Sequence, residues 1–212
     1  MQSASEIDLV TVDAFGTLVE LVDPYDRLGE ALAARGVERD RDAVAAAFAA
    51  EAAYYLPRSH EGFDAASLAK LRRDCAAVFL AELGTELDPE EFAPAYVDAL
   101  EFRPMAGAKQ ALERLRSAGL ALACVGNWDS SLEEHLVALG LSGYFGTVVT
   151  SAEAGKPKPD PAPFRLALER TGVDASRALH TGDSEADREG AAAAGLAFKP
   201  APLATLPSRL GL

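Results

Sequence analysis

Apolar residues in this chain follow two kinds of pattern, and their order predicts the architecture. Short runs of aliphatic and β-branched residues at 7–12, 121–125, 147–150 and 178–181 predict buried strands. Other stretches carry apolar residues three and four positions apart. Ala108, Leu112 and Leu115 share one face of a predicted helix over 107–118, and Leu132, Leu136 and Leu139 one over 131–139. Segments 161–170 and 187–194 also read as helices, with Pro161 suited to a first turn and Gly195 to an end. Strands alternating with helices imply a parallel sheet covered on both faces.

Residues 19–103 interrupt this alternation. The stretch is rich in Ala, Leu and acids, has almost no β-branched clusters, and predicts helices over 25–35, 42–55, 65–83 and 90–102. Gly36, residues 57–62 and residues 84–89 separate them. A helical block lodged after the first strand, with the α/β pattern resuming behind it, predicts a Rossmann-like parallel-sheet core carrying an inserted all-helical cap domain. The core is expected over 1–18 and 104–212, and the cap over 19–103.

Composition sets bounds on partners. At 49% hydrophobic and 25% charged, 212 residues suffice for a substantial core. With 20 Lys and Arg against 33 Asp and Glu, the formal charge of −13 disfavours nucleic-acid and membrane-surface partners. A local cationic pocket for a small anion is compatible with that field. Cys75 and Cys124 are too few for a disulfide framework and lack metal-ligand spacing, so a reducing, cytoplasmic location is expected. The first nine residues carry acids where a signal peptide would carry bases, and no apolar run approaches the ~20 residues needed to span a bilayer.

Four polar clusters follow predicted strands. Asp13 ends the first, where an open parallel sheet binds its ligands, although an Asx turn would also explain it. Gly126 and Asn127 end the second, either as a close backbone approach to a ligand or as a turn before a helix cap. Lys156 and Lys158 alternate with prolines after the third, held in place or simply solvated. Asp183 and Asp187 follow the fourth, four residues apart, as a site pair or as a cap and an exposed helix acid. His180 just upstream reads as a packed strand residue. All four clusters would meet on one rim of the sheet. Asp13, Asp183 and Asp187 would there crowd three negative charges, which a hard cation such as Mg²⁺ relieves. A carboxylate nucleophile, a cation and a lysine ammonium would then surround an anionic electrophile.

In order and spacing these clusters resemble the four motifs of the haloacid dehalogenase-like hydrolase superfamily, in its helical-cap branch. The resemblance implies that Asp13 is the nucleophile, forming a covalent aspartyl intermediate, and that Lys158, not Lys156, is the catalytic lysine. It implies Mg²⁺ held by Asp13, Asp183 and the backbone carbonyl of Phe15, with Asp187 assisting the metal or orienting Lys158. Thr17, Gly126 and Asn127 are the expected substrate contacts.

Two departures shape the functional expectation. Phosphatases of the superfamily carry an acid two residues after the nucleophile, and this chain has Phe15; no phenyl ring can move a proton. Their second motif usually supplies a hydroxyl, and this chain has Gly126. Haloacid dehalogenases also lack the acid, but do without a metal and tend not to keep the Gly-Asp pair present here as Gly182 and Asp183. The expected activity is hydrolysis of a small phosphorylated metabolite with a good leaving group, by a monomer or homodimer. Carbon–halogen hydrolysis of a 2-haloacid and a weakly active phospholigand-binding module are the alternatives. Arg27, Tyr54, Tyr55, Arg58 and His60 are the candidate cap contacts to substrate.

Overall fold

The computed structural model describes residues 6–212, so what the sequence suggests for residues 1–5 lies outside the described residues. Five parallel strands, β1 (Leu9–Val12), β4 (Ala121–Gly126), β5 (Thr147–Thr150), β6 (Ala178–Gly182) and β7 (Ala197–Pro200), form one sheet in the order β5-β4-β1-β6-β7. Its middle strand is β1, with Val12 level with Cys124 on one side and Thr181 on the other. The chain leaves β1 toward β4 and later returns to β6 on the opposite side, so the strand order reverses at the end of β1, where open α/β sheets bind ligands.

Every residue of β1 is buried, because both faces are covered. Val10 and Val12 pack on one face with Leu112 and Leu115 of α5 (Ala108–Ser117) and Leu132 and Leu136 of α6 (Leu132–Ala138). Leu9 packs on the other with Phe164 and Ala167 of α8 (Ala162–Thr171) and Ala191 of α9 (Glu185–Ala194). The period of two along a strand turns Asp13 to the same side as Leu9 and Thr11. That side faces the elements carrying Lys158 and Asp187.

The inserted block consists of α1 (Pro24–Ala33), α2 (Arg41–Tyr55), α3 (Ala65–Glu82) and α4 (Pro89–Ala99). It has its own apolar cluster, in which Leu28, Leu32, Leu80 and Phe92 surround Phe79 and Tyr96, whose ring centroids are 5.1 Å apart. The sequence extends the fourth helix to residue 102, but α4 ends at Ala99. Residues 102–104 instead form β3 (Phe102–Pro104), antiparallel to β2 (Val19–Leu21), at the root of the helical block. Pro104 disfavours helical backbone at the residue before it, and β2 supplies a partner from far away in the chain. Neither strand, nor β7, is visible as a run in the sequence, since three or four residues carry little pattern.

Beyond α2 the six-residue 3₁₀ segment Leu56–Glu61 docks on the core. The Ser59 and Ser151 hydroxyls meet at 2.7 Å, and Ser130 N–H donates to the Gly62 carbonyl at 2.9 Å. Among the described residues no helix is long and apolar enough to cross a membrane.

Candidate active site

The Lys158 ammonium is the centre of the rim. It is buried and donates to Asp13 Oδ1 at 2.5 Å, to Asp187 Oδ1 at 2.5 Å and to the Val125 carbonyl at 2.9 Å. Asn127 fixes the lysine's backbone: its side-chain Oδ1 accepts from Lys158 N–H at 2.6 Å and its Nδ2 donates to the Lys158 carbonyl at 3.0 Å. Lys156, by contrast, is exposed and pairs with Asp160. Of the two lysines between prolines, only Lys158 reaches the acids.

Asp187 is buried, not an exposed helix acid, and its two oxygens have separate tasks. It is the third residue of α9, where it forms a capping box: its Oδ2 accepts from Ser184 N–H and Oγ, while Ser184 Oγ accepts from Asp187 N–H. Its Oδ1 accepts from Lys158 and, at 2.9 Å, from Nε2 of His180. The carboxylate accepts only, so the hydrogen lies on Nε2, and Nδ1 can take the Thr11 hydroxyl 2.8 Å away. His180 is therefore packed edge-on against Phe164, as a strand residue should be, and also braces Asp187. The sequence reading missed that second role. Burial opposes the Asp187 charge, but the His180 hydrogen bond and the Lys158 charge prevail and hold its carboxyl below the usual range.

Asp13 responds in the other direction. Burial, opposed by Lys158 and reinforced by Asp187 and Asp183, pushes its carboxyl up to about 7. Asp183 is raised as well, by burial and then by Asp187, and forms no ion pair among the described residues. Its carboxylate lies over Gly16, where a Cβ would stand 2.2 Å from Oδ2; the φ of +81° at Gly16 also requires glycine. Ligand oxygens of Asp13, Asp183 and Asp187 all lie within 4.8 Å of one another. Three carboxylates against one ammonium leave an excess of negative charge, and an all-oxygen donor set fits a hard divalent cation. Both oxygens of Asp187 are already engaged, by Lys158 and His180 on one and by Ser184 on the other, whereas Asp183 forms no ion pair among the described residues.

Not every expected substrate contact is brought to the open space. The Thr17 hydroxyl is buried without a hydrogen-bond partner and does not line the cavity beneath the helical block. The Asn127 amide is occupied by Lys158, although Asn127 does border the cavity. At Gly126 a Cβ would lie 3.0 Å from the Ala14 Cβ, so the missing hydroxyl has little room. Phe15 is 48% exposed and forms part of the cavity wall.

That cavity measures about 210 Å³. Of the five cap candidates only Tyr55 lines it; Arg27 pairs with Glu101, and Arg58 lies over the Tyr54 ring. The residues missed include Phe48, Glu51 and Ala52 on α2, Arg72 on α3, Tyr96 on α4 and Trp128 on the core. Positions 48, 51, 52 and 55 follow the i, i+3, i+4, i+7 spacing of one helix face, a signal the sequence contained.

Tyr55 also ties the helical block to the core. Its hydroxyl donates to Asp129 Oδ2 at 3.0 Å and accepts from Asp129 N–H at 3.1 Å. Tyr55→Phe leaves both Asp129 groups unpaired and is expected to cost about 1–3 kcal/mol. Chemical denaturation should show that loss, with faster amide exchange in residues 56–62.

The site is thus a strand-end carboxylate clamped by a lysine, on a doubly wound sheet with an inserted helical block above it. Residues 7–195 match the model of the haloacid dehalogenase-like hydrolases, and the chain belongs to that family. It is 46% identical over 91 residues to haloacid dehalogenase-like hydrolase domain-containing protein 3 of Mus musculus, covering 42% of this chain and 36% of that one. It is 41% identical over 91 residues to the plasmid-encoded phosphoglycolate phosphatase of Cupriavidus necator, covering 42% and 39%. The chain thus spans less than half the length of either relative. The structure of L-2-haloacid dehalogenase from Xanthobacter autotrophicus superposes with a TM-score of 0.68 at 25% identity, over 91% of this chain and 76% of that one.

Proposed function

We propose that the protein hydrolyses a small organic phosphate through Asp13, with Mg²⁺ held by Asp13, Asp183 and the Phe15 carbonyl. The observation that carries this reading is the state of Asp13: Lys158 clamps Oδ1, while Oδ2 makes no hydrogen bond among the described residues. In this reading Oδ2 attacks phosphorus, the new bond joins Asp13 to the phosphoryl group, and the bond to the leaving group breaks. Water then cleaves the aspartyl phosphate and releases inorganic phosphate. Lys158 and the Asn127 main-chain N–H, which has no partner among the described residues, hold the anion. Bound Mg²⁺ would neutralise charge on the anion and the two carboxylates. Residues 19–103 act as the cap that excludes water, and residues 1–18 and 104–212 as the core.

Phe15 restricts the substrate. No side chain at that position can protonate the departing oxygen, so leaving groups stable as anions, such as aryl or acyl groups, are favoured. Turnover of a series of substituted phenyl phosphates is expected to fall steeply as leaving-group pKa rises. Phe15→Asp should flatten the slope and raise the rate on poor leaving groups by up to about 10²–10⁴-fold. A flat native profile would refute the restriction.

Carbon–halogen hydrolysis is the second reading, favoured by Phe15 and by the structural likeness to the Xanthobacter dehalogenase. The unpaired Asp183 argues for the first. Metal-independent halide release from 2-chloropropionate would select the dehalogenase reading.

A further inference from the structure

The cavity has polar groups on the side of the helical block as well as on the core. Phe15, Asn127 and Trp128 border it on the core, while Phe48, Leu71 and Leu100 make much of its cap wall apolar. Within that wall lie Glu51 of α2, Cys75 of α3 and Tyr96 of α4. An engineered cavity of about 150 Å³ is known to hold benzene, so about 210 Å³ accommodates a ring with a short arm.

One of these groups has no cation beside it, and another closes no hydrogen bond. Glu51 is only 6% exposed, and no lysine or arginine pairs with it among the described residues. The Tyr96 hydroxyl is buried and closes no hydrogen bond, although Glu51 and Cys75 act on it electrostatically. Burial pushes the Glu51 carboxyl and the Tyr96 hydroxyl above their ordinary values; the Cys75 and Tyr96 contacts only partly offset this at Glu51. Buried polar groups are costly unless hydrogen-bonded, and packing alone would be better served by apolar side chains here.

We propose that this side of the cavity is a specificity subsite for a hydrogen-bond donor. It receives a ring-sized apolar group whose far end bears a hydroxyl or an ammonium, held by Glu51 with Tyr96, while the anionic end of the molecule meets Asp13 and Lys158. The anionic end rests on the phosphatase reading above; the donor subsite does not. An analogue without the donor leaves Glu51 unsatisfied, and one bearing a carboxylate there is repelled.

The test uses probes that carry no phosphate, so binding is read without turnover. Trp128 is the only tryptophan in the chain and lines the cavity, and its fluorescence reports occupancy. 2-Phenylethanol, 2-phenylethylamine and ethylbenzene are titrated against the native protein, Glu51→Leu and Tyr96→Phe. At least one donor-bearing probe is expected to bind about 10- to 100-fold more tightly than ethylbenzene. Glu51→Leu should erase the preference and Tyr96→Phe should weaken it. Should Glu51→Leu fail to fold, Glu51→Gln replaces it, keeping an acceptor for the alcohol while losing the advantage of the amine. Equal binding of ethylbenzene and both donor probes overturns the proposal, as does no response to any probe or full discrimination in the Glu51 variant. Separate failure to hydrolyse p-nitrophenyl phosphate counts against the phosphatase reading alone.

Discussion

Asp13→Asn is expected to reduce Mg²⁺-dependent hydrolysis of p-nitrophenyl phosphate by at least about 10⁴-fold, the scale seen when a nucleophile is removed. The nitrophenolate departs without protonation, so Phe15 imposes no handicap on this substrate. An amide has the shape of the carboxylate but is a far poorer nucleophile. The fold should survive, because Lys158 retains Asp187 and the Val125 carbonyl as partners. Turnover paired with thermal melting reads both effects. A variant within tenfold of native activity would remove Asp13 from the nucleophile's role.

Lys158→Met is expected to give the largest loss of stability of any substitution at the rim. It leaves Asp13 and Asp187 as buried carboxylates without their cation, a change that typically costs about 3–5 kcal/mol. Lys156→Met, at an exposed pair, should stay within about 0.5 kcal/mol. The Lys158 deficit should also depend on pH. The Asp13 carboxyl already sits above its unfolded value, near 7 against 3.8, chiefly because it is buried. A group raised in this way favours the folded state fully below its unfolded pKa, and that contribution is lost as pH climbs through the folded value. Loss of the lysine charge raises Asp13 further. Denaturation in a chelator should therefore show a smaller deficit at pH 5 than at pH 8, and the reverse order would contradict this account.

Much of the rim was legible from residue spacing. Asp13, Lys158 and Asp183 were placed after strands, and their convergence follows once those strands are parallel neighbours. Asp187 shows where spacing runs out. Spacing allowed an exposed helix acid there, but the side chain is buried, and its two oxygens divide between binding Lys158 and capping α9. Asn127 is the converse case: its amide, expected at the substrate, is occupied by the Lys158 backbone. The His180 contact with Asp187 could not be read either, because it depends on how β6 and α9 pack.

By itself the sequence determined the local elements, the strand–helix alternation and the insertion of a helical block. These follow from the periods of two and 3.6 and from breakers such as Gly36 and Gly195, which act over a few residues. Tertiary structure alone decided the β2–β3 ribbon, the choice of Lys158 over Lys156 on geometric grounds, and the alignment of Glu51, Tyr55 and Tyr96 on one cavity. Each depends on segments far apart in the chain meeting at particular distances. The charge balance of the rim belongs to the same class: Asp13 is raised and Asp187 lowered, although each touches the same ammonium. Burial and hydrogen-bond partners set that difference, and both come into being only when the sheet, α9 and the Lys158 loop close around the two acids.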